Sequence, residues 1–292
     1  MSVSEPARAP GGVLDDLRDE SDALDRLVAA LPPERWAAPT PAPRWSVAHQ
    51  IAHLAWTDEA ALLAATDPEA FAGHVAEAAA APGTFVDAAA AALAAQPPDA
   101  LRERWRAARA RLQDALRALL PGTRVPWYGP PMSVTALATA RLMETWAHGQ
   151  DVADALGAVR TPTARLRHVA WIGVRARDYA FAVRGLTPPA EEFRVELEAP
   201  ESAVRGLTPP AEEFRVELEA PDSAATWAFG PPDAPQRVTG PALDFCLLVT
   251  RRAHRADLAL HAAGPDADRW LDIAQAFAGP PGEDRAPRKE TR

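Results

Sequence analysis

Two short stretches of this 292-residue chain carry metal-ligand side chains at helical spacing. In HQIAH, residues 49–53, His49 and His53 stand four positions apart; in ETWAH, residues 144–148, Glu144 and His148 do the same. Residues so spaced on an α-helix lie one above the other on a single face. Two such helices packed side by side would direct an imidazole pair and a carboxylate–imidazole pair into one cavity. Neutral imidazole nitrogens and carboxylate oxygens in that arrangement suit Zn²⁺ or a similar divalent ion.

Within the first pair His53 is the better ligand, because it sits deeper in its helix and precedes Leu54. His49 then has three readings: a fourth ligand, a donor to a ligand, or a proton-transfer base. Arg141, one turn before Glu144, is either an ion-pair residue or a contact for an anionic cofactor or substrate. Asp151, one turn after His148, either orients an imidazole N–H or adds charge to the helix surface. Trp45, Trp56 and Trp146 flank the ligands and are expected to line a drier cavity, with Trp45 the one placed to touch a bound cofactor. His74, His168, His254 and His261 lack partners at useful spacing and read as structural or exposed. Cys246, within the apolar run FCLLV, reads as a small buried hydrophobe.

These residues need a helical scaffold, and the hydrophobic periodicity supplies one. Leu14, Leu17, Leu24, Leu27, Val28 and Leu31 repeat at three- and four-residue spacing, predicting a first helix that ends at Pro32-Pro33. Ser46 is the expected N-cap of a second helix running through Ala65, and Asp67-Pro68 restarts a third. Further helices are predicted over 85–95, 99–120 and 134–156, the last capped by Ser133 and stopped by Gly157. The charges between 102 and 111 read as a solvated helix face. VPWYGPP, residues 125–131, is a rigid aromatic loop. An antiparallel four-helix bundle is the simplest packing for such elements.

The texture changes near residue 160. A helix is predicted over 165–183, alternating strands at FRVELE (193–198) and TWAF (226–229), and a short strand over 258–261. Helices are expected over 243–254 and 267–278, and a disordered tail over 280–292. The expected organisation is therefore α+β: a helical domain over 1–160, then a smaller α/β domain over 161–279 with a short antiparallel or mixed sheet. That second domain holds a tandem repeat, because residues 182–202 recur as 203–223 with Glu201 replaced by Asp222. Two copies do not build a solenoid. One strand copy is expected to take the sheet position, leaving the other as an edge strand or loop.

A net charge of −9 argues against a nucleic-acid partner. No apolar run has the length of a membrane span or the form of a signal peptide. One Cys rules out a disulfide framework and fits a reducing cytoplasm. A small-molecule substrate, a cytoplasmic location and a monomer or homodimer are the expectations.

The pair WSVAHQIAHL (45–54) and RLMETWAHGQDV (141–152), with the VPWYG loop, resembles the DinB-like metal-binding superfamily. More narrowly it is similar to the actinobacterial branch related to mycothiol-dependent maleylpyruvate isomerase. That resemblance implies a four-helix bundle holding a divalent metal, usually zinc, through His53, Glu144 and His148. It also implies a functional Arg in the C-terminal domain, for which Arg251, Arg252 and Arg255 are candidates. VTGPALDFCLLV (238–249) and WLDIAQAFAG (270–279) resemble a subfamily sometimes linked to wyosine base formation, a link the acidic charge supports little.

Three protein ligands leave one coordination position for a thiol such as mycothiol, which the metal would hold as a nucleophilic thiolate. His49 would move a proton, and an Arg would hold a substrate carboxylate. The resulting expectation is a thiol-dependent transferase or isomerase. Alternatives are a hydrolase using metal-bound water and a non-catalytic protein whose four ligands close the shell.

Overall fold

The computed structural model describes residues 12–199, 216–217, 226–279 and 285–287. It divides into two compact units, Gly12–Arg160 and Thr161–Arg292. The first is helical and the second is α/β with a mixed sheet. The Pro-rich start and, apart from 285–287, the tail over 280–292 lie outside the described residues.

The helical unit is built on α1 (Val13–Ala29), α2 (Val47–Thr66), α5 (Pro98–Ala118) and α6 (Val134–Leu156), with α3 (Pro68–Ala80) and α4 (Phe85–Ala94) laid against α2. Leu17, Leu24 and Val28 form the apolar part of the buried stripe of α1, while Asp19 and Arg26 are exposed. Helix α2 is buried on most of its circumference, because it packs against α4, α5 and α6. Its many Ala residues allow that close approach, while Ile51 and Leu54 fill the core completely. Each such aliphatic side chain contributes about 1.5–3 kcal/mol on burial. Helix α3 starts where Asp67 accepts a 3.0 Å hydrogen bond from the Ala70 amide. Helix α6 is bounded as its sequence predicts. Ser133 accepts from the Ala136 amide at 3.1 Å, and Gly157 closes the helix in the left-handed region at φ 68°. A two-residue antiparallel ribbon, β1 (Arg124–Val125) with β2 (Met132–Ser133), closes the aromatic loop that leads into α6.

The charged face of α5 differs from expectation. Arg104 forms a bidentate pair with Glu59 of α2 at 2.7 and 2.8 Å, Arg106 binds Asp25 of α1, and Arg109 reaches Asp22 and Asp25. These side chains strap α5 to its neighbours and are not merely solvated. Pairing across helices leaves no trace in the spacing along one helix, so the sequence does not reveal it.

In the second unit the predicted helix over 165–183 divides at Ala176 into α7 (Leu166–Arg175) and α8 (Arg177–Ala182). The sheet runs β4–β5–β3–β6–β7, from β3 (Phe193–Glu198), β4 (Val216–Glu217), β5 (Thr226–Phe229), β6 (Gln236–Pro241) and β7 (His261–Ala263). Only β3 and β6 pair in parallel. Thus the first repeat copy supplies an interior strand, and the described part of the second copy is an edge strand beside β5. Strand β6 escapes prediction because its Gly240-Pro241 end reads as a turn. The last strand begins at His261, where the predicted one ends. Helix α9 (Ala242–Val249) is shorter than predicted, stopping before Arg251, whose φ is 59°. Helix α10 (Pro265–Ile273) begins two residues before its predicted start and ends five before its predicted end. Phe245, Trp227 and Trp270 are fully buried in this unit. Cys246 is fully buried too, with its thiol pushed well up by burial, so it packs as a hydrophobe.

Candidate metal centre

Helices α2 and α6 lie side by side, and their facing surfaces bring His53, Glu144 and His148 together. One potential ligand atom from each lies within 4.8 Å of the others. Nε2 of His53 is 3.2 Å from Glu144 Oε2, and Nε2 of His148 is 3.1 Å from the same oxygen. The imidazole centroids are 4.4 Å apart. Burial pushes the Glu144 carboxyl up, but the His148 and His53 imidazoles outweigh it and hold it well below its ordinary range. An ionised carboxylate therefore faces two imidazole nitrogens.

The donor set fits a divalent ion of the zinc class, with two imidazoles, one carboxylate and shielding by aromatic rings. His53 also has a buried Nδ1 without a hydrogen-bond partner, so its ring is not committed to a protein acceptor on that side. Trp45 stacks on His148 at 5.8 Å and 21° and lies 5.4 Å from His53. Its indole N–H donates to Asp87 of α4 at 3.1 Å. The Trp56 ring also lies near His53, at 6.0 Å.

The other expected site residues have contacts of their own. His49 is outside the ligand cluster. Its Nδ1 accepts from the Ser46 backbone N–H at 3.4 Å and lies 2.8 Å from the Ser46 hydroxyl, forming the capping box of α2. With Nδ1 accepting, a neutral His49 ring carries its proton on Nε2. A fourth-ligand role is thereby displaced by a helix-capping one. Arg141 is 2% exposed and donates from Nε to Asp58 of α2 at 2.9 Å. Burial pushes the Asp58 carboxyl up against the pull of Arg141. Of its two readings, the ion pair is the one observed: Arg141 pairs with Asp58 through Nε, while its Nη2 is buried without a hydrogen-bond partner. Trp146 is also misplaced by the sequence reading. Two residues from each α6 ligand, it points to another side of the helix, where the Arg160 guanidinium lies 6.0 Å from its ring.

Asp151 is buried and so is not surface charge, but the partner of His148 Nδ1 is the Gln50 carbonyl oxygen, at 2.5 Å. Sequence reasoning missed Gln50. The signal was present, since Gln50 stands three residues before His53 and would share its helix face. His74, set aside as structural or exposed, lies beside Trp56 and places Nδ1 2.6 Å from the Tyr128 hydroxyl. Burial pushes that hydroxyl's pKa up, with the Glu77 charge adding to it. Phe71 and Phe85 complete this aromatic cluster.

In the C-terminal unit, a cavity of about 530 Å³ is lined by Arg251, His254, Arg255 and Asp272 among others. Arg255 is already bound to the Asp268 and Asp272 carboxylates of α10, while Arg252 donates to the Thr250 carbonyl at 2.6 Å. Neither guanidinium is a bare anion receptor.

The chain matches the family model of the mycothiol maleylpyruvate isomerase N-terminal domain over residues 17–153, and that of wyosine base formation over 210–262. Uncharacterised proteins from two Mycobacterium tuberculosis strains, CDC 1551 / Oshkosh and ATCC 25618 / H37Rv, are each 55% identical over 276 residues, covering 94% of this chain and 99% of the relative. The crystal structure of the mycothiol-dependent maleylpyruvate isomerase superposes with a TM-score of 0.54 at 18% identity, covering 86% of this chain and 91% of that one. A histidine-to-alanine variant of the isomerase gives 0.53 at the same identity, covering 82% and 88%. At that identity the likeness establishes the fold. The chain therefore belongs to one family with the two mycobacterial proteins, and its DinB-like helical unit carries the mycothiol maleylpyruvate isomerase N-terminal domain.

Proposed function

We propose that the protein is a divalent-metal-dependent enzyme that uses a low-molecular-weight thiol of the mycothiol type, as a transferase or isomerase acting on a small electrophile. The observation that carries this reading is the three-residue donor cluster of His53, Glu144 and His148, with His49 outside it. A bound divalent ion with an open position lowers the pKa of a thiol or water ligand toward neutrality.

The chain's own residues prepare that chemistry. Glu144, held ionised, supplies negative charge where the cation binds. Trp45 and Trp56 flank the imidazoles and exclude water, which strengthens electrostatic attraction in the site. Cys246 offers no alternative sulfur nucleophile, being buried with a raised pKa. The thiol therefore has to come from a cofactor.

The test combines metal analysis with a thiol-dependence assay. Purified protein is expected to hold about one divalent ion per chain, with substitution of Ala for His53, Glu144 or His148 abolishing stoichiometric binding. Turnover of electrophilic acceptors is expected only with thiol added. Stoichiometric metal in all three variants, or hydrolysis of esters or amides without thiol, would overturn the proposal.

A further inference from the structure

We propose that Gln50 is a positioning residue that presets His148 as a metal ligand, through a hydrogen-bond chain whose direction is set at the backbone carbonyl of Trp45. This rests on the metal-centre part of the functional reading and is independent of the thiol chemistry.

The chain has three links. The Thr40 hydroxyl lies 2.8 Å from the Trp45 carbonyl oxygen, which can only accept, so the hydroxyl must donate there. The Thr40 oxygen then has lone pairs left to accept, and the Gln50 amide nitrogen donates to it at 2.9 Å. With its NH₂ group facing Thr40, Gln50 presents its carbonyl oxygen to His148 Nδ1 at 2.5 Å. An amide oxygen only accepts, so Nδ1 must carry a proton. With Nδ1 committed to Gln50, Nε2, which lies 3.1 Å from Glu144, is the nitrogen whose lone pair a cation would take. Reversing the amide would require the Thr40 hydroxyl to abandon the Trp45 carbonyl.

Two further observations support a deliberate arrangement. Gln50 is fully buried, where an unsatisfied amide would cost about 1–3 kcal/mol, and both its ends are paired. The Thr40–Trp45 loop is also tied by a second hydrogen bond, from the Thr40 amide to the same carbonyl at 2.8 Å. The ring of Trp45 itself stacks on His148. One loop therefore both covers the imidazole and sets its tautomer. His53 has no such anchor, since its Nδ1 lacks a partner.

The experiment measures Zn²⁺ affinity of the full chain by chelator competition, with Co²⁺ absorption spectra and melting of the metal-free protein alongside. Gln50→Leu removes the acceptor and is expected to weaken affinity about 10–100-fold. Gln50→Glu keeps an acceptor toward His148 and is expected to bind near wild-type affinity with an unchanged Co²⁺ spectrum. Thr40→Val leaves Gln50 in place but frees its amide to reverse, and is expected to weaken Zn²⁺ binding although the metal-free melting temperature holds. Wild-type affinity in Gln50→Leu, or equal losses in Gln50→Leu and Gln50→Glu, would overturn the proposal. If Gln50→Leu does not fold, unchanged affinity in Thr40→Val overturns it by itself. Failure of the wild-type protein to bind Zn²⁺ would instead sink the functional reading on which this one rests.

Discussion

Arg141 and Asp58 show how a functional-looking residue can belong to the core. An Arg one turn from a metal ligand invites an anion-binding role, yet its guanidinium is buried against a carboxylate on the neighbouring helix. Removing one partner leaves the other buried and unpaired, which costs about 3–5 kcal/mol, while an apolar replacement of both is often neutral. Arg141→Met is therefore expected to lower unfolding stability by that amount, and Arg141→Met with Asp58→Leu to recover most of it, as read by urea denaturation. Recovered stability and metal content without recovered thiol-dependent activity would return Arg141 to the cofactor. The sequence could not separate these roles, because the deciding residue, Asp58, lies on another helix. The ligands were legible for the opposite reason. Spacing within one helix fixes a face, so Glu144 and His148 announce each other, and His53 needs only that α2 and α6 be neighbours.

At the scale of elements, the long helices were legible because periodicity and caps agree: Ser46, Asp67, Ser133 and Gly157 each stand at an observed boundary. The small sheet was less so. Strand β6 and the break between α7 and α8 are set by packing, and local propensity does not specify them. Helix α7 shows this packing at Gly173, where an added Cβ would come within 2.8 Å of a Val249 methyl on α9. Gly173→Ala is expected to destabilise the protein by about 1–3 kcal/mol through overpacking, despite the better helix propensity of Ala. Thermal unfolding measures it, and a raised melting temperature would mean that α7 and α9 separate easily. Capping also explains His49, whose place in the first turn of α2 serves the helix start.

At the scale of the whole molecule, every residue of the proposed centre lies in one unit. His53, Glu144, His148, Gln50, Thr40 and Trp45 all fall within Gly12–Arg160, which holds its own buried core. A fragment of residues 12–160 is therefore expected to fold and to bind one Zn²⁺ with affinity close to that of the full chain, as measured by circular dichroism and chelator competition. A folded fragment that binds no metal would mean that the C-terminal unit supplies a ligand. Among the described residues no helix is long and apolar enough to cross a membrane.

The two repeat copies set a different kind of problem. Strand β3 sits inside the sheet between β5 and β6, and β4, from the other copy, lies at its rim. Both copies contain the same FRVELE segment, so side-chain identity cannot determine which one enters the interior position. What separates the two assignments is the length of connecting chain and the extra rim pairing. Doubling a loop costs only about 0.6 kcal/mol. The chain thus carries one strand segment twice, and the copy that follows α8 holds the interior place.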